Sequence, residues 1–323
     1  MDTAKFLEIL RITVPVFALL GLGNFLSRIG KMTDAHQSFL NWFVYYICLP
    51  ALIFAGMATQ PFSDLLNVRF ILGTLLPMLA VFVIFVILAL ILRLDKKIAV
   101  VMIFGTYWAN VAYMGFPLAE SAFGVRGFLL AAIVNAVTMP ILVAVSFVMI
   151  GLCSDKPQSL LVSLRGAFFN PVILASIAGL TFSWLLGFVD TGALPVAIKE
   201  MFGIGGIILK NIGAMGISIA LLAVGGKLRF RSFGKHALPL SLTVGGKLIL
   251  LPLMTFCAMH FFFPDAPKED AAAAVLLMAM PTAVTGAVIA AKFKLNEEFT
   301  SSVLATSMLF GIIMIPFWLY IVL

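Results

Sequence analysis

Hydrophobic residues run along this chain in long blocks rather than in alternation with polar ones. A helix that crosses a bilayer needs roughly 20 apolar residues. Ten windows meet that need: 6–27, 36–58, 69–93, 98–122, 126–152, 165–188, 200–225, 236–262, 270–293 and 297–322. The pattern predicts an all-α integral membrane protein of ten transmembrane helices. A membrane β-barrel would alternate polar and apolar positions over strands of about ten residues, and these runs do not. The most polar stretch near the middle is "CSDKPQSLLVSL", 153–164. It reads as a short cytoplasmic linker between two five-span halves, 1–152 and 165–323.

Composition agrees with the pattern. Of 323 residues, 63% are hydrophobic and 11% charged, with a mean hydropathy of +1.15. A soluble domain carries about 25% charged residues. The first run ends in Ser27-Arg28-Ile29-Gly30 with no small-x-small site, so no cleavable signal peptide is expected. Cys48, Cys153 and Cys257 are scattered, as are His36, His236 and His260. Neither set has a disulfide or metal spacing, so no metal or cofactor is expected.

The net charge of +7 could mark a nucleic-acid binder, but its distribution argues for topology instead. Thirteen Lys and Arg fall in or beside the loops after spans 1, 3, 5, 7 and 9, and six on the other side. Lys210 and Lys247 fall inside spans. The positive-inside rule then puts the odd loops in the cytoplasm and both termini outside. The expected location is the cytoplasmic membrane, the expected surroundings are lipid, and no nucleic acid is expected.

Five spans per half means that homologous halves would be inverted in the membrane. Weak similarity supports such a repeat. Pro15 and Gly23 in span 1 match the spacing of Pro171 and Gly179 in span 6. Pro77, Pro117 and Pro140 in spans 3–5 correspond to Pro252, Pro281 and Pro316 in spans 8–10. Chance matches compete with this reading, because membrane helices tolerate proline.

The stretch "WANVAYMGFPLAE", 108–120, holds Asn110, Gly115 and Pro117 inside an apolar span. Gly and Pro loosen a helix, and a buried amide needs partners. A break at membrane depth survives where it is buried in protein or lines a cavity. Gly115 and Pro117 are read as the structural break of span 4. Asn110 is expected to cap the second half of that span, and Thr282, after Pro281, the second half of span 9. Two half-helix N-termini would then face a cavity and favour an anion. The competing reading is an ordinary packed proline kink.

At these residues the sequence resembles the auxin efflux carrier family. The likeness is carried by "NVAYMGFPLAESAFG" (110–124), "LPALIFAGM" (49–57), "NPVILASIAG" (170–179) and "MPTAVTGAVIAAKF" (280–293), in order along the chain. That family includes plant auxin exporters and bacterial permeases for malate and malonate. The resemblance implies two inverted five-helix repeats with helices 4 and 9 broken and crossing at the substrate site. It implies a scaffold of helices 1, 2, 6 and 7 and a mobile transport domain of helices 3–5 and 8–10. It assigns Asn110 and Pro281 to the crossing, and Asn170 to the substrate carboxylate. Ala109 stands where the plant carriers have proline, and Asn211 where they have aspartate. Their long cytoplasmic loop is absent, so a small bacterial-type carrier is expected rather than an auxin exporter.

All fourteen acidic residues lie in loops or near span ends. Lys247, in "VGGKLILLP", lies at depth with no central acid to pair with, and such a cation is costly. A substrate carboxylate is one partner for it; snorkelling is the alternative. The candidate substrate-binding residues are Asn110, Tyr113, Asn170, Lys247, Pro281 and Thr282, and the candidate substrate is a small mono- or dicarboxylate. The expected activity is secondary transport by alternating access, not catalysis. A sodium-coupled symporter of a bulkier organic anion, similar to bile-acid transporters, is the alternative, followed by an anion channel. The coupling ion and a homodimeric state stay open. Trp42, Trp184 and Trp318 are expected in interfacial belts.

Overall fold

The computed structural model describes residues 3–62, 67–151, 169–189, 195–226, 236–283, 290 and 295–323. The expected linker 153–164, the start of span 6 and most of the later part of span 9 lie outside these residues. The described chain is helical apart from turns and one isolated bridge.

We label the helices α1 (Thr3–Arg28), α2 (Asp34–Ala58), α3 (Val68–Ile91) and α4a (Lys96–Tyr107). Next come α4b (111–123) and α5 (125–151), joined at Gly124. Then follow α6 (Pro171–Leu186), α7 (Val196–Gly226), α8 (Ala237–Phe261), α9 (Lys268–Met278) and α10 (Glu297–Val322). Seven described helical stretches are long and apolar enough to cross a membrane. The starts follow capping chemistry: the side chains of Thr33, Asn67, Asp95, Asn170 and Asn296 each accept a backbone N–H of the first turn. Gly124 turns the chain at φ +61, a conformation that side-chain-bearing residues rarely adopt.

α1 packs along α7, and α2 along α6 and α7. In a second group, α3 lies against α4a, α8 and α9, and α10 lies against α4a, α8 and α9. A polar staple ties one end of that group. Arg126, at the start of α5, donates to Asp270 on α9 through Nε at 2.7 Å and Nη2 at 2.8 Å. Asn67, the cap of α3, donates to the same buried carboxylate.

Three π turns interrupt the regular ladder: Val44–Cys48 in α2, Val111–Gly115 at the start of α4b and Gly246–Leu250 in α8. Each is followed two residues on by a proline: Pro50, Pro117 and Pro252. A proline has no N–H, and its ring crowds the carbonyl four residues back. In all three cases the residue before the proline reaches five residues back instead. Leu49 N–H donates to Val44, Phe116 to Val111 and Leu251 to Gly246.

Trp42 and Trp184 are about half exposed, as interfacial residues should be. Trp318 is buried against protein instead, and its Nε1 donates to the Leu248 carbonyl at 2.8 Å, within the α8 π turn. A slipped ladder leaves carbonyls to satisfy, and an indole N–H at depth needs an acceptor.

Candidate functional site

Helix α4a ends at Tyr107, and Trp108 is extended (φ −89, ψ 99). Helix α9 ends at Met278, and the chain then passes through Pro281–Ala283 beside Trp108–Asn110. The two segments pair antiparallel: Asn110 N–H donates to Pro281 O at 2.8 Å, and Ala283 N–H to Trp108 O at 3.0 Å. Two non-helical segments from distant parts of the chain thus satisfy one another where no water would. The Pro281 ring lies over Gly311 of α10, where any side chain would collide with it.

The carbonyls at the two helix ends meet donors from across the site. Thr282 Oγ1 donates to Gly105 O at 2.7 Å, at the end of α4a. Lys247 Nζ donates to Met278 O at 3.1 Å, the last carbonyl of α9. Lys247 is fully buried. Thr282 N–H donates to Ser307 Oγ at 3.2 Å.

Asn110 stands at the N-cap position of α4b, with φ −78 and ψ 58. Its side chain makes no capping hydrogen bond, against the sequence expectation. Its main-chain carbonyl does the holding, accepting from Met114 at 3.1 Å and Gly115 at 3.0 Å. The side-chain amide is left buried, and its Nδ2 has no partner among the described residues. Thr282 likewise spends its hydroxyl on Gly105; the residues it was expected to cap lie outside the described ones. Gly115 and Pro117 do not form the break. They lie in helical structure just after it, and the proline's effect is the π turn at Val111–Gly115.

Tyr113 is carried by that π turn, and α7 packs against it. Tyr45 lies on the π turn of α2. Asn170 caps α6 through Oδ1, which accepts Val172 N–H at 2.9 Å, while its Nδ2 donates to Tyr45 Oη at 2.6 Å. The structure therefore brings Pro281 and Thr282 to Asn110, and Asn170 to Tyr45. Lys247 lies at the end of α9. Tyr45 was missed from sequence; its place on a π turn ahead of Pro50 was the available signal. A groove of about 680 Å³ between α8 and α10, lined by Leu240, Val244, Leu248 and Leu309 among others, contains none of these candidates.

Comparison with known proteins gives the family. The family described as membrane transport protein matches residues 9–319. A protein of Rhizobium meliloti (strain 1021) named "Putative malonate transporter" is 25% identical over 98% of this chain and 96% of its own length. A protein of Methanothermobacter thermautotrophicus named "Uncharacterized transporter" is 23% identical over 94% of this chain and 95% of its own. This chain is therefore a multi-pass transporter rather than an enzyme, and it belongs to the membrane transport protein family, that of the auxin efflux carriers.

Proposed function

We propose that this protein is a secondary carrier that moves a small organic anion, a mono- or dicarboxylate, across the cytoplasmic membrane by alternating access. One observation carries the reading. The acceptors Gly105 O, Trp108 O, Met278 O and Pro281 O are all taken by protein donors, yet a buried donor, Asn110 Nδ2, has no partner among the described residues. A spare buried donor beside occupied acceptors suits an anion. The first turn of α4b adds N–H groups and the positive end of its dipole. Tyr113, Asn170, Pro281 and Thr282 complete the proposed site, with Asn110 as the direct donor. The name of the Rhizobium relative supports malonate as the first candidate.

In this reading the chain is two inverted five-helix repeats, with helices 4 and 9 broken and crossing at the site. Helices 1, 2, 6 and 7 form the scaffold, and helices 3–5 and 8–10 the moving part. The packing of α1 and α2 on α7, and of α3 and α10 on α8 and α9, supports that division. Uptake of labelled malonate into proteoliposomes tests the function. Saturable uptake, accelerated by unlabelled malonate inside, is the expected result. Unitary currents in a planar bilayer would make the protein a channel, and preference for a neutral or cationic solute would end the anion reading.

A further inference from the structure

Lys247 sits at depth with no exposed surface. Among the described residues its Nζ has a single acceptor, Met278 O, whereas an ammonium brings three donors. Charged and titratable groups on the surrounding elements lie near their ends. Arg69 opens α3, and Lys96 and Lys97 open α4a, which closes with Tyr107. Lys268, Glu269 and Asp270 open α9, with Asp270 held by Arg126. Glu297 and Glu298 open α10, and Tyr320 lies near its end. On α8 itself, His260 lies at the far end and His236 just precedes the helix. Among the described residues no carboxylate lies within salt-bridge distance of Nζ. The stretch 284–294, most of it outside the description, has no Asp or Glu in its sequence.

A buried charge facing one neutral carbonyl is costly. The neutral amine suits this surrounding, since it can give one N–H to Met278 O. The ammonium suits it once an anion is near. Met278 lies three residues before Pro281, so Lys247 is tied to the chain segment that pairs with Trp108–Asn110. It also rides on a π turn, a feature frequent at functional sites.

We infer that Lys247 is the proton carrier that couples anion transport to the proton gradient. The inference rests on the carrier reading above. When the anion arrives, the amine takes a proton from hydronium: Lys247–NH₂ and H₃O⁺ give Lys247–NH₃⁺ and water. When the anion leaves on the other side, the ammonium returns the proton to water. Lys247 acts through the α9 terminus as a positioning residue and does not touch the substrate. Linkage is reciprocal, so protonation must strengthen anion binding by the factor that anion binding favours protonation.

The test uses the full-length protein in liposomes with malonate as the probe, read by labelled exchange at equal pH and by a proton-sensitive dye inside. Wild type should exchange malonate, move protons with it, and accumulate it about tenfold per coupled proton for each unit of pH gradient. As the pH rises its affinity should weaken, by at most about tenfold per unit. Lys247→Gln and Lys247→Arg should still exchange, Gln with weaker affinity. Neither should move protons or accumulate malonate, and affinity should not change with pH. The Arg variant separates a carried proton from a fixed charge, because arginine stays protonated throughout. Net uptake of malonate by wild type without proton flux overturns this inference alone. So does gradient-driven accumulation in either variant, or loss of exchange in both. No exchange in wild type overturns the carrier reading and this inference with it.

Discussion

Asn110 holds its site through its main chain, which leaves its side chain spare. The carbonyl accepts from Met114 and Gly115 and the N–H donates to Pro281, so neither depends on the amide. Asn110→Ala should therefore separate function from stability. Losing a hydrogen bond to a charged substrate costs about 1.5–3 kcal/mol, roughly ten- to a hundredfold in malonate affinity. The melting temperature should hold or rise, because an unpaired buried donor is removed. Calorimetric titration and a melting curve check the pair; a destabilised variant with unchanged affinity would make Asn110 a structural residue. Thr282→Val should do the reverse, losing about 1 kcal/mol of stability with the Gly105 bond. The sequence marked both residues as polar groups at depth, which is why they were legible. Their bonding was not legible. Asn110 was expected to cap, and Thr282 was not expected to reach Gly105, because each direction is set by a segment some 170 residues away in the chain.

At the scale of single helices, the three π turns matter most. The prolines were plain in the sequence, and Pro117 was read as a break. The break falls instead at Trp108–Asn110, where pairing with Pro281–Ala283 replaces the helical hydrogen bonds. Composition marks where a helix is weak; whether weakness becomes a slip or an opening depends on what is available to pair with the freed backbone. The three turns carry Tyr45, Tyr113 and Lys247, which gives the slip a use in the proposed mechanism. Pro117→Ala restores an N–H and lets the regular ladder close, which removes the extra residue and turns one side of the bulge by about 100°. Malonate transport should fall at least tenfold while thermal stability does not, since a proline inside a helix costs about 3 kcal/mol relative to alanine. Wild-type transport by this variant would remove the π turn from the mechanism. The polar staple gives a contrasting, purely structural expectation. Arg126→Met strands a fully buried carboxylate, with a cost of up to about 3–5 kcal/mol. Asp270→Asn leaves a partly exposed arginine that can turn to water, so Arg126→Met should lower the melting temperature more.

For the whole molecule the open question is which way it faces, and the sequence and the structure bear on it differently. Lys5 Nζ lies 4.8 Å from the ring centre of Tyr320, so the two ends of the chain meet on the same side. An even number of spans requires that, and ten were read from the apolar windows. Which side it is depends on charge. The sparser set of basic residues includes Arg69, Arg126 and Lys268. The structure gives acceptors to two of them: Arg126 binds the Asp270 carboxylate, and Arg69 donates to the main-chain carbonyl of Asp265 at 3.2 Å. The other set, thirteen residues strong, includes Lys96 and Lys97 at the start of α4a. Lysine and arginine near span ends set orientation during insertion, and acidic residues count for little, so the thirteen should stay in the cytoplasm. Both termini are then expected outside. Single cysteines placed at residue 2 or 323 of a variant lacking Cys48, Cys153 and Cys257 should react with a membrane-impermeant maleimide in intact cells. A cysteine in place of Lys96 should react only after the cells are opened. The opposite pattern at all three positions would invert the molecule, and the outward and inward phases of the proposed proton cycle would exchange places with it.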